Sequence, residues 1–487
     1  EGAGGRLLTV PLKAIADELG AALVRTTVAT GVSAFLLGLD IEAVAKIVRD
    51  VWARKGEKVQ NLNEQAIRRG YTYALEHFPD ETHFALGPSD GKGRLLMTGN
   101  EAVGLGALAA GCRLCIAYPI TPASDVLEWL QPRLPKVGGI ALQAEDELAS
   151  INAIIGGGFA GVRAITATSG PGLSLMQEAI GLAHNAEIPL VIVDCQRGGP
   201  STGMPTKHEQ SDLLALCFGS HGDTPRIILA PSSAEEAFYD AVDAFNLAEK
   251  YQMPVFIAQD LSVALNNETV EQLDYDRITI ERGEIATKAD LDAVDGSFKR
   301  FDFTPSGISK RALPGQPGGM HPVTGLEHDV FGRVSENPEN RVRQMNKRFN
   351  KLDDFAHPGF TFAGDEGAEV LLVGWGASRG AIDEACAALD RRGIKAAHLH
   401  MRVLAPFPNA TVAPHVAAAK HVFIVENNAT GQLAQLFKLH VPDALYAGGK
   451  SSADLHSVLK YNGYLFIAEE IVSAVEGALQ SAAVKAS

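Results

Sequence analysis

Four short stretches of this chain set polar or charged side chains where an apolar run gives way to a turn. In "LCIAYPITPASDVLEWL" (Leu114–Leu130), Thr121 stands between a strand-like run and a helix-like one. Pro122 disfavours helical backbone at its neighbour, so the Thr121 hydroxyl is displayed at the strand's end, where it can face a ligand or simply help to cap the next helix. In "LQAEDELASINAIIGGGFAG", Glu145, Asp146 and Glu147 crowd the start of a helix, either as dipole compensation or as a carboxyl that holds a proton. Gly156–Gly158 lie inside that helix, a destabilising choice unless another backbone or a flat ligand comes close. "TATSGPG" (Thr166–Gly172) puts Thr168 and Ser169 before two glycines at a helix N-terminus, which suits an anion or a polar ring. "CQRGGPSTGMPTKHEQSDL" (Cys195–Leu213) surrounds Arg197 with Gly, Pro, Ser and Thr. Such an arginine can clamp a carboxylate with two hydrogen bonds or lie solvated in a surface loop.

All four stretches need strands to present them. From Lys92 onward the pattern alternates: helix Glu101–Ala110, strand Arg113–Tyr118, helix Ala123–Leu130, helix Glu147–Phe159, strand Arg163–Ala167, helix Leu173–His184, strand Leu190–Asp194 and strand Val255–Gln259. Alternation of this kind implies an α/β fold with a parallel sheet whose ligand-bearing loops gather at the strands' carboxyl ends. A second α/β unit opens at "EVLLVGWGASRGAIDEACAALDRRGIKAAHLHM" and continues with the strand "HVFIVEN". Its turn Gly374-Trp375-Gly376, with Gly380, reads as a packing turn, because the third glycine of a dinucleotide fingerprint is displaced and its acidic partner is missing. Residues 6–88 carry helical patterns at Pro11–Leu19, Ile41–Ala53 and Glu64–Phe78 around a small-residue segment, like the back half of an α/β unit. The chain opens at Glu1 without a methionine, and a preceding segment is expected.

With 487 residues, one core is too few. A formal charge of −15 with only isolated basic pairs argues against nucleic acid, and no long uninterrupted apolar run argues for a membrane span. Five cysteines and no secretory leader fit a cytoplasmic protein. Cys112-x-x-Cys115 lacks the second pair a metal site needs and reads as alternating strand.

The stretches "GNEAVGLGALAAG", "YPITPASD", "QAEDELASINAIIGGGFAGVRAITATSGPGLSLMQEAIGLA", "EIPLVIVDCQRGGPSTGMPTKHEQSDL", "GLEHDVFGRVSENPENR" and "VFIVENNATGQLAQL" resemble the α subunit of 2-oxoacid:ferredoxin oxidoreductases, most of all the 2-oxoglutarate type. The likeness covers nearly the whole chain. It implies four parts: the C-terminal half of a γ-like domain (1–90), a thiamine-diphosphate pyrimidine-binding domain (92–267), a connecting segment (268–362) and a transketolase-C-like domain (363–487). By the resemblance, Glu147 is the cofactor glutamate, with Glu145 as second choice, because glycines follow Glu147 after nine and fourteen residues at Gly156 and Gly161. Tyr118, Pro119, Ile120, Thr168 and Ser169 would line the cofactor, Thr121 would face cofactor and substrate, and Arg197 with Thr206 would bind the 2-oxo acid's carboxylate and carbonyl. Gly222-Asp223 and Gly364-Asp365 lack the continuations that hold diphosphate and Mg²⁺, and no cysteines are spaced for a [4Fe–4S] cluster. A β subunit is therefore expected to supply both, in a dimer of αβ heterodimers that takes coenzyme A as cosubstrate and passes electrons to ferredoxin. No metal site is expected on this chain. The implied reaction is oxidative decarboxylation of 2-oxoglutarate to succinyl-CoA and CO₂, or its reverse. Pyruvate or branched-chain specificity is the alternative within the family, and a non-catalytic α-like assembly subunit the alternative outside it.

Overall fold

In the computed structural model, which describes residues 7–81, 90–447 and 455–486, the chain parts between Gly93 and Arg94 into two units. The described residues of the first are helical, with α1 (Leu12–Glu18), α2 (Arg25–Leu36), α3 (Ile41–Trp52) and α4 (Glu57–His77), and no strand occurs among them. The small-residue segment forms α2 because it must touch α4 backbone to backbone. A Cβ on Gly31 would lie 2.0 Å from the Ile67 carbonyl oxygen, and one on Gly70 equally close to that of Val28.

The second unit holds two large sheets. Its strands are β1 (Leu95–Met97), β2 (Leu114–Ala117), β3 (Ile140–Gln143), β4 (Ala164–Thr168), β5 (Leu190–Gln196), β6 (Ile227–Leu229), β7 (Pro254–Asp260), β8 (Glu268–Val270), β9 (Phe360–Ala363), β10 (Val370–Trp375), β11 (Ala396–Met401), β12 (Val403–Ala405), β13 (His421–Glu426) and β14 (Leu455–Leu459). The seven-stranded sheet runs β12-β6-β7-β5-β4-β2-β3, and the five-stranded one β14-β13-β10-β11-β9. Both are parallel except for one edge strand each, β12 and β9. β12 follows directly on β11 of the second sheet yet pairs with β6 of the first, so the two sheets are stitched together. Every residue of β4, β5 and β7 is buried, the mark of central parallel strands covered on both faces.

Helices α5 (Gly99–Ala109), α6 (Ser124–Leu130), α7 (Glu147–Phe159), α8 (Gly170–Asn185), α9 (Leu213–Phe218) and α10 (Ala234–Tyr251) cover the first sheet. Buried residues of α5, α6 and α10 share one core, whereas those of α7 and α8 join a core that continues into the second sheet through Val373, Trp375, Leu399 and Phe437. β2 has β3 on one side and β4 on the other, so the chain leaving β2 and the chain leaving β4 diverge. In open α/β sheets, ligands bind in the crevice at such a reversal of strand order. The glycine run in α7 serves packing on the protein's own backbone. A Cβ on Gly158 would meet the Pro189 carbonyl oxygen at 2.3 Å, and one on Gly157 the Leu114 side chain at 2.4 Å, whereas Gly156 faces open space.

The segment between β8 and β9 contributes the helix Pro338–Asn350 and is anchored by buried charge. Glu187 follows α8 in the left-handed region (φ 53°), a place usually taken by glycine. Its N–H bonds the His184 carbonyl and the N–H of Ile188 bonds that of Ala183, which closes the helix end. A glutamate stands there because its carboxylate meets Lys347 at 2.6 Å and Lys351 at 2.8 Å, while Arg300 donates to its carbonyl at 2.7 Å. All four side chains are buried. Burial alone would raise the Glu187 carboxyl; Lys347, Lys351 and Arg300 outweigh it and hold the group well below the usual carboxylate range.

The described cysteines are unpaired, and burial pushes the Cys112 thiol up to about 12 and Cys115 well above its ordinary value, so neither offers a thiolate. Among the described residues, no helix is long and apolar enough to cross a membrane.

Glu187→Gln leaves two lysines and an arginine buried against a neutral amide. Stability should fall by about 3–5 kcal/mol, the usual cost of removing one partner of a buried pair. Urea titration of the variant against wild type checks this, and an unchanged midpoint would reduce the cluster to decoration.

Candidate functional site

The carboxyl edge of the first sheet gathers four turns, and their side chains divide sharply by burial. Glu147, the first residue of α7, is buried, whereas Glu145 and Asp146 are exposed and Asp146 is already engaged as N-cap, accepting from the Ala149 N–H at 2.6 Å. The Glu147 side chain reaches the start of α8. A Cβ on Gly172 would lie 2.6 Å from Glu147 Oε1 and 2.1 Å from Thr168 Oγ1, so only glycine lets the two approach. Thr168 and Ser169 are fully buried; Ser169 precedes α8 without a side-chain cap bond, and its hydroxyl has no partner. The start of α8 thus has no side-chain cap bond beside Glu147, which leaves N–H groups for an anion or polar ring.

On the other side of β4, Thr121 is exposed, its bond to Pro122 is cis, and its hydroxyl makes no hydrogen bond among the described residues. Helix α6 has Ala123 at its N-cap and no side-chain cap, so Thr121 does not cap it. Asn100, at the start of α5, fixes this turn: its Nδ2 donates to the Pro122 carbonyl at 2.7 Å, and its Oδ1 accepts from Gln259 Nε2 at 2.8 Å. Tyr118 is more than a third exposed, and Pro119 and Ile120 are half-buried in the same turn.

Arg197 directly follows β5 and turns its guanidinium back onto that turn. Nη1 donates to the Thr121 carbonyl at 2.6 Å, and Nη2 to the Thr202 carbonyl at 3.0 Å. The structure therefore brings Thr121 and Arg197 together through the Thr121 backbone. The loop beyond is closed by Met204 N–H to Gly198 O at 2.7 Å and Gly198 N–H to Lys207 O at 3.0 Å. Thr206 is exposed on the outer part of this loop and does not line the adjoining cavity. That cavity, about 920 Å³, is walled by Gly170, Pro171 and Ser174 of α8, by Arg197 to Thr202, by Asp212, and by Asn428 to Thr430 of the second sheet.

Two further carboxyls belong to this edge, and the sequence alone does not mark them. Asp194 of β5 is fully buried with neither oxygen hydrogen-bonded, and Asp212 lies over the start of α8, where a Cβ on Gly170 would touch both its oxygens at 2.5 Å. Burial, then Glu209, pushes Asp212 up to about 7 against the pull of Arg197. Burial, then Asp212, raises Asp194 well above its ordinary value, with Gln196 opposing.

The wall itself is held by Gln210, fully buried at the junction of the two sheets. Its Nε2 donates to Asp260 Oδ2 and to the Trp375 carbonyl, both at 2.9 Å, and its Oε1 accepts from the Asn427 N–H at 3.1 Å. Its N–H reaches the Asn427 carbonyl at 2.7 Å, and its carbonyl accepts from Asn428 Nδ2 at 3.1 Å. Gly376 (φ 58°) makes the space: a Cβ there would sit 2.4 Å from Asp260 Oδ2 and 2.9 Å from Gln210 Nε2. Asn428 also bonds Glu426, which accepts from Leu433 and Ala434 and so caps the helix Gln432–His440.

Gln210→Ala leaves the Asn427 N–H unpaired, at a cost of about 1–3 kcal/mol when buried, and takes from the Trp375 carbonyl one of its two donors, the other being Ser378 Oγ. The Arg197 loop should then be cleaved about tenfold faster or more by a limiting protease. Equal cleavage rates would show that Gln210 does not hold the wall.

Three family descriptions match the chain: "Pyruvate flavodoxin/ferredoxin oxidoreductase, thiamine diP-bdg" over residues 105–347, "Pyruvate ferredoxin/flavodoxin oxidoreductase" over 1–73, and "Pyruvate:ferredoxin oxidoreductase core domain II" over 368–471. The chain is 36% identical, over 99% of its length and 77% of the relative's, to 2-oxoacid:ferredoxin oxidoreductase 2, subunit alpha, of Aeropyrum pernix. It is 38% identical to the 2-oxoglutarate synthase subunit KorA of Methanocaldococcus jannaschii, over 68% of this chain and 88% of that one. Among solved structures, 2-oxoglutarate:ferredoxin oxidoreductase from Magnetococcus marinus, with 2-oxoglutarate, coenzyme A and succinyl-CoA bound, superposes with a TM-score of 0.87 at 35% identity, covering 98% of this chain and 83% of that one.

Proposed function

The chain belongs to the α subunits of the 2-oxoacid:ferredoxin oxidoreductases, and from that premise we propose that it forms the thiamine-pyrimidine and substrate half of an enzyme of the 2-oxoglutarate type. The observation that carries the reading is the presence, at one sheet edge, of a buried Glu147 beside an uncapped helix N-terminus and of Arg197 on the wall of the cavity. Thiamine diphosphate, when bound, supplies the carbon nucleophile and the electron sink for decarboxylation.

Glu147, Thr168 and Ser169 suit the pyrimidine ring. The buried carboxylate holds the proton exchanged at the ring nitrogen, and the unpartnered Ser169 hydroxyl and the first N–H groups of α8 receive polar edges of the cofactor. Tyr118, Pro119 and Ile120 supply a partly apolar wall, and the Thr121 hydroxyl, free of any capping duty, is available to the reacting oxygen of the substrate. Arg197 orients the C1 carboxylate. That carboxylate leaves as CO₂, so the guanidinium must position more than it attracts, and its two bonds to backbone carbonyls already temper it. Thr206 joins this set only if its part of the loop turns inward on binding.

The chain carries one side of the site, and a β subunit supplying diphosphate, Mg²⁺ and cluster binding completes the reading, with coenzyme A as acyl acceptor and ferredoxin as electron acceptor. Exposed apolar residues flanking the site, Tyr118, Leu142, Leu148 and Leu175, offer that subunit a docking rim. Two αβ pairs and a cytoplasmic location complete the proposal.

In the reconstituted complex, Glu147→Gln should lower turnover by about a hundredfold or more while Glu145→Gln stays within about twofold, the contrast expected of a positioned proton carrier. The reverse ranking would move the role to Glu145. Arg197→Lys keeps the charge but loses the fork, and should lower kcat/KM by about ten- to a hundredfold for 2-oxoglutarate and 2-oxobutyrate alike. A selective loss of 2-oxoglutarate would place Arg197 at the distal carboxylate instead.

A further inference from the structure

Asp194 and Asp212 take no part in the roles assigned so far, yet they occupy the most electrostatically demanding position at the site. Asp194 is fully buried, and neither of its oxygens is hydrogen-bonded; Asp212 Oδ2 is likewise buried and unpartnered. Among the described residues, the cation acting on Asp212 is Arg197, and both of its terminal nitrogens are committed to the Thr121 and Thr202 carbonyls. Glu209, on the same loop, adds a third acid, with its Oε2 accepting from Ser211 Oγ at 3.0 Å and from the Gly199 N–H at 3.3 Å. From β5 the pair is met by the Gln196 amide. The part of α8 packed there, Gly170 to Leu173, has no titratable side chain. Across the cavity stand Asn428, Thr430, Gln432 and Tyr461, none of them charged near neutral pH.

Two effects compete for the proton. The positive end of α8 favours an anion by about 0.3–1 kcal/mol, up to about 2 when partly buried. Two ionised carboxyls sharing a buried site cost several kcal/mol each in lost hydration before their mutual repulsion is counted. Repulsion and desolvation win, so the pair keeps a proton near neutral pH.

The cavity that Asp212 lines is the one in which, on the reading above, a 2-oxo acid binds. We propose that Asp212, on the wall of this cavity, is a substrate-binding residue that acts in its neutral form, donating a hydrogen bond from its carboxyl O–H to an oxygen of the bound 2-oxo acid. An ionised Asp212 would set a negative charge against an anionic substrate. The neutral acid offers a donor at the same point, so the buried pair converts a repulsive wall into a recognising one. No bond is made or broken in this role, and Asp212 acts on binding alone.

The inference rests on the 2-oxo acid reading, and the two are separable by experiment. Kd for 2-oxoglutarate is measured by calorimetry on the complex of this chain with its partner subunit, prepared without thiamine diphosphate so that no turnover occurs, from about pH 6 to about pH 9. Wild type should bind most tightly at the acid end and lose affinity as pH rises through about 7, by up to about tenfold per unit. Asp212→Asn keeps the shape and a donor but cannot ionise. Because the Asp212 side chain makes no cap bond to α9, the exchange should not unfold the loop, and its Kd should stay near the wild-type acid-limit value and be flat with pH. Asp194→Asn removes the neighbouring carboxyl, so the midpoint should move to lower pH. Infrared difference spectra of the same complex should contain the carbonyl stretch of an un-ionised acid at pH 6 that weakens in Asp212→Asn. Tight wild-type binding with a flat pH profile, or an Asp212→Asn profile that still slopes like wild type, overturns the inference and leaves the substrate reading standing. A wild-type complex that binds no 2-oxo acid at any pH overturns both.

Discussion

The site hangs on one buried amide. Gln210 uses every donor and acceptor it owns to tie the loop carrying Arg197 to the end of β7, to the turn after β10 and to the turn after β13. A fully satisfied buried network of this kind specifies one geometry, because any displacement leaves polar groups unpaired in a low-dielectric interior. The two sheets could otherwise slide against each other on a shared apolar core, which is non-directional. Gln210 and the antiparallel pairing of β12 with β6 give their junction direction, and the cavity wall inherits it.

Around that junction, acids outnumber bases. Glu147, Asp194 and Asp260 are buried at the carboxyl edge and Asp212 is half-buried there, with Arg197 as a buried cation of the same edge. Elsewhere the chain treats buried charge differently, surrounding Glu187 with Lys347, Lys351 and Arg300. The contrast separates a stabilising cluster, in which charge is balanced, from a working one, in which proton positions remain open to a ligand. Local rules broken without compensation are expected where binding energy will later make up the difference.

Much of this was legible from the chain. Helix Glu147–Phe159 was read with its true ends because Asp146 is a strong cap and the apolar period is clean, and the strands ending at Ala117, Thr168 and Gln196 lie within a residue or two of the expected runs. Glu147 was preferred over Glu145 on glycine spacing. Gly156 faces open space and touches nothing near the carboxyl, so the structural basis for the preference is the burial of Glu147 itself. Asn100, Gln210 and Asp212 carry no signal in the chain, because a lone polar residue in a polar stretch looks like surface; only the three-dimensional meeting of α5, the loop and the second sheet buries Asn100 and Gln210 and sets Asp212 half-buried beside them. The stitching by β12 was also invisible, since three residues after a stronger strand carry no periodic signal of their own. Thr206, read as a partner of Arg197, lies outside the cavity wall for want of any contact that would turn it inward.

The central claim is that this chain holds one half of a thiamine-dependent site that works on 2-oxo acids. Coenzyme A-dependent reduction of ferredoxin, assayed across a panel of 2-oxo acids with the chain alone and with the chain copurified with its partner subunit, tests it most directly. Turnover of 2-oxoglutarate by the complex and none by the single chain is the predicted result. Turnover by the single chain, or a complex loaded with thiamine diphosphate that oxidises no 2-oxo acid, would contradict it.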